Sequence, residues 1–273
     1  MIEMARSDLR RQPRYPQQIM HIITTLVPDT SAPAQADPPD VAVVIDVLRA
    51  TTVMTTAAAS GAERVITCRE VTEAFDFADQ FQPRPLLCGE RGCQPIDGFD
   101  LGNSPSEYGR DHVEGRTLIL TTTNGTRAIE MASAARRMLA ASFLNLAAVV
   151  RALHDCEFLH LACAGTEGEV TAEDALLAGA IVDQCRSRYG TVTVNDASTL
   201  AHQLWCSWFP HADQASLPQQ AELAARLRET QGGRNLVRLG FEADLERCSV
   251  INQFDVVMER GGQYPTSFSL QAN

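Results

Sequence analysis

No apolar run in this chain approaches the roughly 18 residues that a membrane-crossing helix needs, and no run of basic residues lies outside the first 18 positions. The formal net charge is −11. A nucleic-acid or anionic-membrane surface is therefore disfavoured, because either would need a segregated field of positive charge. The eight cysteines contain no C-x-x-C pair and no Cys/His array with zinc spacing. Cys68, Cys88, Cys156 and Cys163 lie in or beside apolar runs, which suits reduced, buried thiols in a cytoplasmic protein. All eight read as structural. Residues 1–18 are basic and polar and lack the apolar core of a secretory signal. They read as a flexible extension, and residues 19–273 as a single domain.

What is present is one device used twice. Residues 41–56, VAVVIDVLRATTVMTT, and residues 117–129, TLILTTTNGTRAI, each run from a buried strand into a hydroxyl-rich turn that opens a helix. Backbone N–H groups at a helix N-terminus lack partners, and the helix dipole favours negative charge there. Arg49 and Arg127 add fixed positive charge inside these turns. Two anion cradles on an acidic protein point to a small substrate that carries phosphate or several negative groups.

Apolar runs and helical spacing predict strands at 19–27, 41–47, 62–68, 85–88, 118–121, 157–163 and 250–258. They predict helices at 51–60, 71–81, 127–141, 146–153, 172–189, 197–208 and 219–231. Strands alternating with helices imply an α/β domain with a mainly parallel sheet covered on both faces. Ligands of such sheets collect beyond the carboxyl ends of the strands. That rule selects residues 46–52, 89–91, 121–126 and 164–169, all of them polar turns after apolar strands.

Several phosphate-handling chemistries fail for want of a residue. A cysteine nucleophile needs Arg five positions on, and Cys163 has none. An aspartyl-phosphate site of the haloacid type needs Asp-x-Asp, but Asp46 is followed by Val47 and Leu48. There is no Arg-His-Gly, no H-x-H and no H-E-x-x-H, which argues against a zinc or two-metal histidine site. Oxygen ligation remains. Asp46, Glu90 and Glu167 each follow a strand, and carboxylates without histidine suit a hard cation that keeps its waters, namely Mg²⁺. Other readings stay open: Asp46 as a buried acid satisfied by turn amides, and Glu90 with Arg91 as a structural ion pair. Thr171 and Asp174 fit a variant capping box at the start of the long helix. The loop 89–108 is dense in Gly, Pro, Asn and Asp, and Asn103-Ser104-Pro105 reads as a turn.

The segments VVIDVLRATT, CGERG followed by GFDLGNSPSEY, TTTNGTRAI and CAGTEGEVTAEDALLAGAI together resemble the 2-phosphosulfolactate phosphatase family of coenzyme M biosynthesis. The resemblance continues into Gly233-Arg234-Asn235-Leu236 and Leu239-Gly240-Phe241. It implies a three-layer α/β/α fold of two intertwined subdomains. It also implies Mg²⁺-dependent hydrolysis of the phosphate monoester of a sulfonated hydroxy acid to sulfolactate and phosphate. Two departures stand out: Val53 where a third Thr is common, and Val256-Val257-Met258-Glu259 without a following Pro, at the expected C-terminal edge.

Resemblance and residues together give a working assignment. Asp46, Glu90 and Glu167 hold Mg²⁺ and its water, with Asp46 and Arg49 catalytic. Thr51, Thr52, Asn103, Thr122, Thr123 and Asn124 hold anionic oxygens, and Arg91 and Arg234 clamp the charged ends of the substrate. Direct attack by water and a phospho-Asp46 intermediate both remain open, as does homo-oligomerisation. So do a phosphatase of this fold acting on another small phosphorylated acid and a non-catalytic anion-binding protein.

Overall fold

A computed structural model describes residues 19–29, 37–210, 216–263 and 265–271; the extension read at 1–18 lies outside the described residues. Eleven strands form one mixed, largely parallel sheet. In chain order they are β1 (Ile19–Thr25), β2 (Val41–Ile45), β3 (Arg64–Cys68), β4 (Leu86–Arg91), β5 (Gln94–Pro95) and β6 (Thr117–Thr121). There follow β7 (Arg137–Ala141), β8 (Phe158–Cys163), β9 (Thr191–Val194), β10 (Met258–Gln263) and β11 (Thr266–Leu270). Their order across the sheet is β5-β4-β6-β3-β11-β10-β7-β2-β8-β1-β9.

Strand β2 explains the layering. All five of its residues are buried, as expected of a parallel strand covered on both faces. Val41, Val43 and Ile45 belong to one apolar cluster with α5 (Leu146–Arg151), α6 (Ala172–Arg188) and α7 (Asp196–Trp208). Ala42 and Val44 point the other way, into a cluster with α1 (Ala50–Ala59) and α4 (Gly125–Met131). The fold is thus a three-layer α/β arrangement. A third cluster packs α2 (Val71–Ala78) on β3, β4 and β6.

The crossovers place the site. Helix α1 leaves β2 and packs on β7 and β10, while α4 leaves β6 and packs on β2 and β8. The carboxyl end of β6 is thereby carried against those of β2 and β8, although four strands separate β6 from β2 in the sheet order.

Four segments depart from the sequence-based elements. The helix expected over 127–141 ends at Met131, and Arg137–Ala141 is strand β7, paired with β2 and β10. Its Met, Leu and Ala residues favour helix, but burial between two strands overrides that preference. Residues 191–194, left without an element, form edge strand β9 beside β1. The strand expected at 250–258 starts only at Met258, and the hairpin β10–β11 lies mid-sheet rather than at an edge. The helix expected over 219–231 is α8 (Gln220–Glu229), followed by α9 (Gln231–Arg238). Thr230 separates the two by accepting the Gly233 N–H at its side chain. Short α3 (Arg110–Val113) and α10 (Glu242–Cys248) complete the helices among the described residues.

Candidate active site

One small cavity, about 90 Å³, gathers residues from all four strand-end turns. Asp46, Arg49, Glu90, Asn103, Thr123, Asn124 and Glu167 line it, so seven of the sequence-selected residues share one site.

The two anion cradles are real, but the chain's own carboxylates fill them. At the start of α1 the Ala50 N–H donates to Asp46 Oδ1 at 3.2 Å. After β6 the Thr123 N–H donates to Glu90 Oε1 at 2.9 Å, and the Cys93 N–H donates to Glu90 Oε2 at 2.6 Å. Asn124 Oδ1 accepts the N–H of Glu167, which has φ of 55°. Backbone donors thus orient two of the three carboxylates first marked as cation ligands, Asp46 and Glu90, whereas at Glu167 it is the backbone N–H that is held and the residue is exposed. Gly125 makes room for this: a Cβ there would lie 2.9 Å from Asp46 Oδ2 and 2.8 Å from Thr122 Oγ1.

Thr51 and Thr52 are not among the residues that line the cavity. Their hydroxyls turn back along the helix, to the carbonyls of Asp46 and Val47 at 2.8 Å each. Thr122 is buried behind the cavity wall. Arg91 follows Glu90 on a strand and so points to the opposite face, where it donates to the carbonyls of Arg69 and Glu90. Arg127 and Arg234 are exposed and off the cavity. Arg234 sits in the first turn of α9, where side chains lean back over the preceding turn, and it donates to the Glu229 carbonyl.

The arginine the cavity uses from this helix is Arg238, beside Asn235, Leu236, Leu239 and Gly232. Asn235 Oδ1 accepts from Arg238 Nη2 at 3.1 Å. Arg49 is itself held: Nη1 donates to Asp244 Oδ2 at 2.6 Å, and its guanidinium lies 4.4 Å from the centre of the Phe241 ring. Asp244 also accepts from Ser104 Oγ at 2.5 Å, which ties α10 to the 89–108 loop. Cys93 lines the cavity too, so one cysteine is neither buried nor remote from the site.

Two more buried acids, Glu173 and Asp174, stand near Asp46. Asp174 does not cap α6; its two carboxylate oxygens accept the N–H groups of Val47 at 2.9 Å and Gly165 at 3.0 Å, locking the ends of β2 and β8 together. Thr171 Oγ1 has no partner. Burial pushes Asp46 up to about 7, and the charges of Glu90 and Glu173 add to the rise against the pull of the Ala50 N–H and Arg49. Burial also raises Glu173 and Asp174. Asp46, Glu90, Glu173 and Asp174 are all buried here, and a bound divalent cation would relieve their mutual repulsion, although among the described residues no three of these carboxylates bring their oxygens within 4.8 Å of one another. Buried oxygens without partners, among them Asn103 Oδ1, Thr123 Oγ1 and Glu173 Oε2, fit the same reading. Cys163 is fully buried in β8, as expected for a packing residue.

A sequence model of the 2-phosphosulpholactate phosphatase family matches residues 27–262. The chain belongs to the 2-phosphosulfolactate phosphatase family. A probable 2-phosphosulfolactate phosphatase of Thermotoga maritima is 40% identical over 216 residues, covering 79% of this chain and 87% of the relative. One of Symbiobacterium thermophilum is 40% identical over 219 residues, covering 80% and 89%. One of Caldanaerobacter subterraneus is 38% identical over 217 residues, covering 79% and 85%. Members of this 2-phosphosulfolactate phosphatase family are by name phosphoric monoester hydrolases, and the matched span contains every residue that lines the cavity. No helix among the described residues is long and apolar enough to cross a membrane.

Sequence reasoning missed Arg238, Asn235, Cys93 and Asp244. Asn235 carried a signal, since it falls within the Gly233-Arg234-Asn235-Leu236 resemblance; Arg238 lies between that element and Leu239-Gly240-Phe241. Asp244 carried none, because an acid in the first turn of a helix ordinarily just complements the dipole.

Proposed function

We propose that this protein hydrolyses 2-phosphosulfolactate to sulfolactate and phosphate with Mg²⁺ as its cofactor. The observation that carries the reading is the single cavity in which Asp46, Glu90 and Glu167 meet Arg49, Arg238, Asn103 and Asn235. Family membership supports the phosphatase part of the reading, and the relatives' names supply the substrate.

Asp46, Glu90 and Glu167 would hold the cation, with Glu173 as a further buried carboxylate. When bound, Mg²⁺ neutralises phosphate oxygens and lowers the barrier to attack. The protein's share is positioning and charge. Arg49, fixed by Asp244 and Phe241, faces the transferred phosphoryl group from the same turn as Asp46. Arg238 and Asn235, from α9, address the sulfonate or carboxylate end. Backbone N–H groups of Ala50, Thr123 and Cys93 hold the carboxylates still. The small volume of the cavity favours a compact substrate.

The test is a panel of phosphosulfolactate, phosphoglycolate and phospholactate, assayed with Mg²⁺ and after EDTA. Preference for phosphosulfolactate, with activity lost in EDTA and regained with Mg²⁺, supports the reading. Equal rates across the panel would remove the substrate assignment, and full activity in EDTA would remove the cofactor.

A further inference from the structure

Away from the cavity, three side chains of different chemistry converge where α6 meets α7. The two helices approach closely because Gly179 has no side chain; a Cβ there would collide with the backbone of Ala201. One turn on, Asp183 Oδ1 reaches His202 Nε2 at 3.0 Å. Cys206, four residues after His202 and so on the same face of α7, brings its Sγ to 3.5 Å from the same nitrogen. The three potential ligand atoms all lie within 4.8 Å of one another, and each residue is half-buried.

The arrangement is wrong for a thiol–imidazole–carboxylate relay. A relay needs the thiol and the acid on opposite ring nitrogens, as a proton must pass through the ring. Here both face Nε2, while Nδ1 is occupied by Arg186 Nη1 at 3.0 Å. Three donors directed at one point are what a metal needs. A zinc–nitrogen bond of about 2.05 Å and a zinc–sulfur bond of about 2.3 Å subtend a tetrahedral edge of about 3.5 Å. That is the observed separation of Nε2 from Sγ.

We propose that Asp183, His202 and Cys206 form a second metal site, for Zn²⁺ or another borderline divalent ion, that clips α6 to α7. The donor set of one thiolate, one imidazole and one carboxylate excludes Mg²⁺ as the natural occupant and leaves a fourth position for water. Metal at Nε2 places the ring proton on Nδ1, so Arg186 must release that nitrogen. Its side chain is exposed and free to turn into solvent. The site explains a cluster that the phosphatase reading does not use, and spacing alone could not show it, because Asp183 and His202 are 19 residues apart.

The experiment is a titration of the metal-stripped full chain with Co²⁺, whose thiolate charge-transfer absorption reports a cobalt–sulfur bond. One equivalent should saturate the band, Zn²⁺ should displace it, and excess Mg²⁺ should leave it unchanged. The band should vanish in Cys206→Ser and His202→Ala but persist in Cys93→Ser. With excess Mg²⁺ present to occupy the carboxylate site, Zn²⁺ should raise the melting temperature of the parent by more than that of either ligand variant. X-ray absorption of the Zn²⁺-loaded parent, which requires no variant to fold, should find one sulfur among the ligands. Absence of the band in the parent, its survival in Cys206→Ser, or a zinc shell without sulfur would overturn the site and leave a thiol–imidazole hydrogen bond only.

Discussion

Arg49 and Asp244 stand 195 positions apart in the chain and form a buried ion pair, with Nη1 2.6 Å from Oδ2 and both side chains almost wholly covered. Neither charge has water to fall back on. Removing the acid leaves an unpaired guanidinium in the cavity wall, at a cost of about 3–5 kcal/mol. Asp244→Ala is expected to lower stability by that order in urea melts and to reduce turnover with it. Arg49→Lys in the parent is expected to preserve neither in full, because an ammonium cannot span Asp244 and the Phe241 face together. Normal turnover in Asp244→Ala would dissociate the pair from catalysis.

Asp46→Asn is expected to cut turnover at least about a hundredfold while the chain still folds. The same variant reads the pH dependence of the site. Since burial holds Asp46 near 7 in the folded state against an ordinary value of 3.8, the native carboxyl binds its proton more tightly than the unfolded one. Metal-free protein therefore loses stability as pH rises through the window from about 4 to about 7, by at most about 1.4 kcal/mol per pH unit from this group. His160, lowered by burial to about 4, acts oppositely, losing stability as pH falls from about 6.5 to about 4. Comparing Asp46→Asn with the parent cancels His160. Without metal, the variant should melt higher than the parent at pH 8 and alike at pH 4. A variant that melts lower at pH 8 would make Asp46 a structural acid.

Arg238→Ala should weaken kcat/KM on phosphosulfolactate roughly ten- to a hundredfold, the worth of a charge-assisted hydrogen bond, and spare a neutral-tailed phosphomonoester. Arg91→Ala and Arg234→Ala should change neither by more than about twofold, since both side chains donate to backbone carbonyls outside the cavity. Selective loss in Arg234→Ala would return the clamp to the residue that the sequence favours.

Alkylation offers an independent check. Cys93 lines the cavity, and burial together with the Glu90 charge raises its thiol. Iodoacetamide should inactivate slowly near neutrality and faster as pH rises, phosphate should protect, and Cys93→Ser should resist. Inactivation that persists in Cys93→Ser would place the sensitive thiol elsewhere.

Much of this site was legible because strand-end turns announce themselves. An apolar run that stops at Asp46, Glu90, Thr121 or Ala164 marks where a parallel sheet collects its ligands, and all four ends reach the cavity. What sequence could not separate was adjacent residues of one turn. Glu90 and Arg91 look alike as candidates, yet strand alternation sends one inward and the other away. The threonines of α1 misled for a related reason: a hydroxyl near a helix start suits an anion, but here it is taken by a carbonyl five residues back. Strand β7 was hidden by its helix-favouring residues, since only its neighbours β2 and β10 make it a strand. Arg49–Asp244 and the Asp183–His202–Cys206 cluster depend on long-range packing that no local pattern encodes.

The hairpin β10–β11 bears on how the chain is made. It joins β3 to β7, and so the two halves of the sheet, yet it follows every other strand in sequence. At a synthesis rate of about 5–20 residues per second, β7 waits on the order of ten seconds for the strand that covers it. For that time the nascent chain carries two open sheet edges, the kind of surface on which strands of other chains add. Chaperone demand should therefore concentrate late in translation, and variants that weaken the hairpin should lower soluble yield well before they lower the activity of molecules already folded.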